Sequence, residues 1–146
     1  FLIDRVSKLL IIDSPETYEQ YGIGITSFLN FNLIWNEGIA FGLFSFTEKI
    51  YYNLLTILIC LIIAVLIWFM FRSEGFEKLS YIMIIGGSFG NVFDRIFYSA
   101  VPDFIDIHFN NFHWFIFNVA DIFVTLGIFC LIGIEIFSKK INENYK

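Results

Sequence analysis

Three long apolar stretches dominate the pattern of hydrophobic and polar positions. Asn53 to Phe71 is 19 residues without a charge. Leu79 to Phe93 is apolar, small or weakly polar and runs into Asp94-Arg95. Phe117 to Phe137 is 21 residues whose only charges are Asp121 near the start and Glu135 near the end. About 20 residues rising 1.5 Å each cross the ~30 Å hydrocarbon core of a bilayer, so each stretch predicts a membrane helix. Phe1 to Ile12 is shorter and carries Asp4, Arg5 and Lys8. It reads as the second half of a helix whose first half is missing, which makes four transmembrane helices. Two connections are long. Asp13 to Tyr52 contains a strand-like alternation from Thr26 to Trp35. Phe97 to Ile116 holds Pro102, both histidines and Trp114. The joint from Arg72 to Lys78 is tight.

Basic residues orient this pattern. Arg72 and Lys78 flank the tight joint, and Lys139, Lys140 and Lys146 lie in the tail, whereas the long connections hold only Lys49, with Arg95 at a helix end. The positive-inside rule then places both termini in the cytoplasm and both long connections outside. Trp35 and Trp114 fall at the outer interface and Trp68 at the inner one, as an aromatic belt requires.

Composition agrees. Of 146 residues, 58% are hydrophobic and 16% charged, with a mean hydropathy of +0.73, against about a quarter charged in a soluble domain. The chain reads as one polytopic membrane domain, residues 1–146. The net charge of −5 comes from scattered acids, and without a basic patch nucleic-acid binding has no support. Cys60 and Cys130 sit in apolar runs without partners at ligand spacing and read as packing residues.

Against this background four aspartates stand out: Asp94, Asp103, Asp106 and Asp121. An ionisable residue in or beside a membrane segment is costly and marks a functional-site candidate. Asp4 and Lys8 share a helix face at i and i+4, a stabilising pair. Asn36-Glu37-Gly38-Ile39-Ala40-Phe41-Gly42 offers an amide and close backbone approach. In Gly86-Gly87-Ser88-Phe89-Gly90-Asn91-Val92-Phe93-Asp94-Arg95 the glycines permit tight helix packing. Asn91 and Asp94 share a face, and Asp94 fits an ion pair with Arg95 or Lys8. Val101-Pro102-Asp103-Phe104 and Phe117-Asn118-Val119-Ala120-Asp121 complete the set, with Asn118 as a cap or substrate hydrogen-bonder. Asp103 and Asp121 can meet near the outer surface. Two adjacent carboxylates share a proton, so one can activate water while the other polarises a carbonyl. His108 and His113 lack the spacing of a zinc site, and no metal or other cofactor is expected.

These five segments, in this order, resemble the lipoprotein signal peptidase family, also called signal peptidase II, over almost the whole chain. The matching elements are Asp-x-x-Ser-Lys at Asp4 to Lys8, Asn-x-Gly-x-Ala-Phe-Gly at Asn36 to Gly42, Gly-Gly-x-x-Gly-Asn-x-x-Asp-Arg at Gly86 to Arg95, Val-x-Asp-Phe at Val101 to Phe104 and Phe-Asn-x-Ala-Asp at Phe117 to Asp121. The resemblance implies an intramembrane aspartyl endopeptidase of the bacterial inner membrane that cuts prolipoproteins just before their diacylglyceryl-modified Cys. It implies Asp103 and Asp121 as the catalytic pair, with Asn36, Gly38, Asn91, Arg95 and Asn118 lining the site. Asp94 is then structural, and Asp4 and Lys8 belong to a supporting polar set. It further implies a small periplasmic β-cradle between helices one and two, to which Thr26 to Trp35 contributes, on a mainly α-helical membrane fold. Prolipoprotein substrates and membrane lipid are the partners expected, and nothing demands a second subunit. The aromatic stretch between the two aspartates matches no motif and reads as a candidate lid. Two other classes stay open on the residues alone. An ion relay would spread its carboxylates through the membrane depth, whereas these cluster on one side. A structural protein would use its polar residues only to hold helices together.

Overall fold

A computed structural model of the chain describes residues 1–18, 22–38, 49–110 and 112–144. Among the described residues, four helices and two β-hairpins follow in the order α1 (Leu2–Ile12), β1 (Ile23–Thr26), β2 (Leu29–Asn36), α2 (Lys49–Arg72), α3 (Gly75–Tyr98), β3 (Val101–Phe109), β4 (Phe112–Phe117) and α4 (Val119–Asn144). A one-turn 3₁₀ segment, Pro15–Tyr18, follows α1.

The first two long apolar stretches are helices extended at both ends, and the third is helical from Val119, two residues later than expected, and runs on to Asn144. Tyr52–Arg72 and Val119–Phe137 are each long and apolar enough to cross a membrane. Their outward residues are large and apolar, among them Leu54, Ile57 and Leu61 on α2 and Leu126, Phe129 and Ile132 on α4. Exposed apolar surface this continuous needs lipid rather than water against it. The α2–α3 joint closes within Ser73 and Glu74 because Gly75 adopts φ +57°, a left-handed conformation open to glycine.

The sheet departs from the sequence reading. It has four antiparallel strands in the order β1-β2-β3-β4, so the second connection supplies half of it rather than the first supplying it all. The aromatic stretch read as a candidate lid is the β3–β4 hairpin, closing near Asn110, whose φ of +52° Asn tolerates. Its strands escaped notice because β3 is buried on both faces at Val101–Phe104 and β4 is continuously apolar and aromatic, so neither alternates. The strand-like run at Thr26 to Trp35 is in fact a corner and a strand. β1 ends at Thr26, whose hydroxyl accepts the Phe28 N–H at 3.3 Å, and β2 starts at Leu29. Pairing of Ile34 with Asp103 and of Asn36 with Val101 joins the two connections.

The helices pack with a polar interior. On α1 the buried residues are Asp4, Arg5, Lys8 and Ile11, while Leu2, Ile3, Val6, Leu9 and Leu10 are exposed. The Lys8 ammonium donates to Asp4 (3.0 Å) and to Asn91 (2.9 Å) and Asp94 (2.6 Å) of α3. Arg5 completes the cluster with an ion pair to Asp94 at 2.5 Å and lies 4.8 Å from the Phe93 ring centre. Two acids meet two bases, so the buried group carries no net charge. Of the two partners expected for Asp94, Lys8 is present. Arg95 instead donates to the Asn91 carbonyl (3.3 Å) and the Gly38 carbonyl (3.1 Å). Close approach of α3 and α4 depends on Gly87, where a Cβ would lie 2.5 Å from the Ala120 carbonyl oxygen, and on Gly127, where one would lie 2.8 Å from the Ser80 oxygen.

Removing one member of a buried charge network leaves its partners uncompensated, at about 3–5 kcal/mol. Lys8→Met is therefore expected to lower the melting temperature in detergent sharply. Lys8→Met combined with Asp94→Asn is expected to cost clearly less than the two single changes added together. Additive losses would show that the cluster is not coupled.

Candidate active site

The site forms where the start of α4 meets the β2–β3 pair and the second half of α3. Asn118 is the residue before α4, and its side-chain oxygen accepts the Asp121 N–H at 3.1 Å. The Asp121 carboxylate returns the bond from the Asn118 N–H at 3.2 Å. This is a reciprocal capping box, which satisfies donors a helix start leaves open. The Asp4 carboxylate accepts a third, the Ala120 N–H, at 3.0 Å. The sequence places Asn and Asp three apart for this local reason, and the cap then holds Asp121 on the first turn of the helix.

Asp103 is the third residue of β3 and is 3% exposed. Each of its carboxylate oxygens accepts a side-chain amide: Asn118 Nδ2 at 2.5 Å and Asn36 Nδ2 at 2.8 Å. Asn36 is held in turn, its oxygen accepting the Gly38 N–H at 2.8 Å. Asn118 therefore touches both aspartates, Asp103 through its amide and Asp121 through its cap. Asn91 is the second bridge. It donates to Asp121 at 2.8 Å while its oxygen accepts the Lys8 ammonium.

Asp103 and Asp121 line one cavity of about 560 Å³ together with Asn36, Asn91, Arg95 and Asn118. Apart from Ser88, the remaining wall is aliphatic, with Ile59 and Leu66 on α2 and Val124 and Ile128 on α4. Burial, reinforced by the nearby charge of Asp121, raises the Asp103 carboxyl to about 6, against the opposing pull of the Asn36 and Asn118 amides. A carboxyl poised near neutrality in a largely apolar cavity can either give or take a proton.

The structure thus brings together Asn36, Asn91, Arg95, Asp103, Asn118 and Asp121, with Gly38 attached through its backbone. Asp4, Lys8 and Asp94 form the layer behind them. Residues 39–42 of the Asn36–Gly42 element lie outside the described residues. Asp106 is separate. It is 1% exposed, bonded to His113 Nδ1 at 2.9 Å, and does not line the cavity. Three residues along a strand is an odd step, which turns Asp106 to the face opposite Asp103. His108 and His113 face each other across β3 and β4 with ring centres 5.2 Å apart. Among the described residues no three metal-ligating side chains converge. Arg5 is the member that sequence reasoning missed. The available signal was charge balance, since Lys8 alone cannot neutralise both Asp4 and Asp94.

Comparison with known proteins converges on one family. The family model described as signal peptidase (SPase) II matches residues 1–137. The chain is 54% identical to a lipoprotein signal peptidase of Pelagibacter ubique (strain HTCC1062) over 145 residues, covering 98% of this chain and 87% of that protein. It is 42% identical to a lipoprotein signal peptidase of Wigglesworthia glossinidia brevipalpis, covering 97% and 89%. A bacterial membrane enzyme solved by the in meso method at 2.3 Å superposes with a TM-score of 0.77 at 27% identity, covering 99% of this chain and 85% of that one. The chain therefore belongs to the signal peptidase II family and is a membrane-bound protease of lipoprotein processing.

Proposed function

We propose that this peptidase cuts prolipoproteins just before their diacylglyceryl-modified Cys, with Asp103 and Asp121 as the catalytic pair. The observation that carries this reading is the sharing of one cavity by two carboxylates that Asn118 ties together. One carboxylate, ionised, takes a proton from the attacking water. The other, protonated, donates a hydrogen bond to the scissile carbonyl and stabilises charge on its oxygen. The proton taken from water then passes to the leaving amine. Asn36, Asn91 and Asn118 hold the carboxylates in place, and Arg95 with Gly38 frames the polar end of the cavity. Asp4, Lys8 and Asp94 support this layer from behind. The aliphatic wall suits the signal peptide and lipid chains of the substrate.

The proposed setting is the bacterial inner membrane. All four helices lie in it, in one monomeric domain with both termini cytoplasmic. Arg72, Lys78 and the lysines of the tail support this orientation. The sheet then lies at the outer face with Trp35 and Trp114. That places the pair beside a diacylglyceryl Cys anchored in the outer leaflet, and no nucleic acid takes part.

Two outcomes follow. Asp103→Asn and Asp121→Asn are each expected to lower cleavage of a diacylglyceryl-modified prolipoprotein peptide by at least about 10³-fold while the protein stays folded. The unlipidated peptide is expected to be a poor substrate for wild type. Residual cleavage near the wild-type rate would remove that aspartate from the pair. Stability gives the second outcome. Asp103 binds its proton more tightly folded, near 6, than at the ordinary 3.8, so stability falls as pH rises between those values and stays lower above them. The effect is at most about 3 kcal/mol. Asp103→Asn is therefore expected to melt higher than wild type at pH 7 and to lose that advantage near pH 4. Thermal melts at the two pH values check this.

A further inference from the structure

The sheet carries a second polar cluster, on the face turned away from Asp103. Asp106 and His108 lie two residues apart on β3 and so share a face, and pairing sets His113 of β4 directly opposite His108. A spacing of five along the chain matches no helical or finger-type ligand set, but the hairpin folds that interval back on itself. Between the Asp106–Ile116 and His108–His113 pairs β4 has one residue more than β3. Such a bulge re-aims side chains and is frequent beside functional sites.

Three features of the cluster suit a metal ion. The His113 Nδ1–H donates to Asp106 at 2.9 Å, and Asp106 is buried. That bond leaves the lone pair on Nε2, the arrangement by which a carboxylate orients a metal-binding imidazole from behind. Both ring nitrogens of His108 are buried and have no hydrogen-bond partner among the described residues. Whichever of them holds the hydrogen, the other offers a lone pair, and burying that lone pair unused is costly. The two ring centres are 5.2 Å apart. An ion about 2.0–2.1 Å from a ring nitrogen lies about 3.2 Å from the ring centre, so two rings at a tetrahedral angle around it stand about 5 Å apart. His113 is half exposed, which gives an ion its way in.

We propose that His108 and His113 bind one divalent transition-metal ion of the zinc class, with Asp106 holding the His113 ring from behind. Two imidazoles leave the remaining positions to water, and imidazole selects zinc, copper or nickel over the oxygen-seeking magnesium and calcium. The ion ties β3, which carries Asp103, to β4, which leads into Asn118. It sits on the other face of the sheet from the cleavage chemistry and does not depend on the aspartate pair.

The test is a calorimetric titration of the full chain, without an affinity tag, with ZnCl2 and with MgCl2. Wild type is expected to bind one equivalent of zinc in the sub-millimolar range and no magnesium, and to melt higher with zinc than after EDTA. His108→Phe and His113→Gln are each expected to abolish zinc binding. His108→Phe removes two unpaired nitrogens and is expected to melt no lower than wild type in EDTA, so that its loss of binding is not a loss of fold. Asp106→Asn keeps both ligands and is expected to weaken zinc about 10–100-fold. Asp103→Asn is expected to bind as wild type does. Absence of zinc binding by folded wild type would overturn the site, as would equal affinity in either histidine variant. Binding lost in Asp103→Asn but kept in the histidine variants would overturn it too, by placing the ion at the catalytic carboxylates.

Discussion

A single ammonium group holds the working parts in register. Lys8 has three N–H donors, and the structure gives them three acceptors, on Asp4, Asn91 and Asp94. The first is on its own helix and the other two are on α3, more than eighty residues away in sequence. Asp4 then reaches α4 through the Ala120 N–H, so one charge cluster pins the start of α4 against α1 and α3. Asn91 carries the connection onward, since the same side chain that accepts from Lys8 donates to Asp121. The orientation of one aspartate thus depends on a lysine that does not line the cavity.

The second joint is Asn118, where a local rule and a long-range one coincide. A helix start needs an acceptor for its open N–H groups, and Asn supplies one to Asp121. The amide left over points across to β3 and meets Asp103. One residue therefore sets where α4 begins and how far apart the two carboxylates stand. The sheet makes this meeting possible. Pairing of β2 with β3 delivers Asn36 and Asp103 together, and β4 leads directly into the cap.

The cost of the arrangement is concentrated at Asp103. Its carboxyl is buried beside another acid, and the Asn36 and Asn118 amides, with the more distant charge of Lys8, only partly oppose the resulting rise toward 6. A buried carboxyl beside a second acid is in this way locally destabilising, a cost that functional sites commonly carry. The ion cluster behind it offsets that strain by being neutral and fully engaged at its lysine.

Much of the site was legible in the sequence, because its signals are local. Apolar runs of about 20 residues name the helices, the i, i+4 spacing of Asp4 and Lys8 puts them on one face, and the Asn118–Asp121 interval is that of a helix cap. The motif residues Asn36, Asn91, Asp103 and Asp121 could be picked out singly in the same way. What only the tertiary structure decided is which of them touch. The sequence offered Lys8 or Arg95 to Asp94, and packing chose Lys8 and added Arg5. It offered Asp103 and Asp106 side by side, and the alternation of a strand that did not look like one turned Asp106 away to His113. The β3–β4 hairpin was hidden because neither the buried start of β3 nor the aromatic run of β4 alternates. Periodicity records what each segment does with its own neighbours. The partners of a buried charge are settled by which helices pack together, and that is a property of the whole chain.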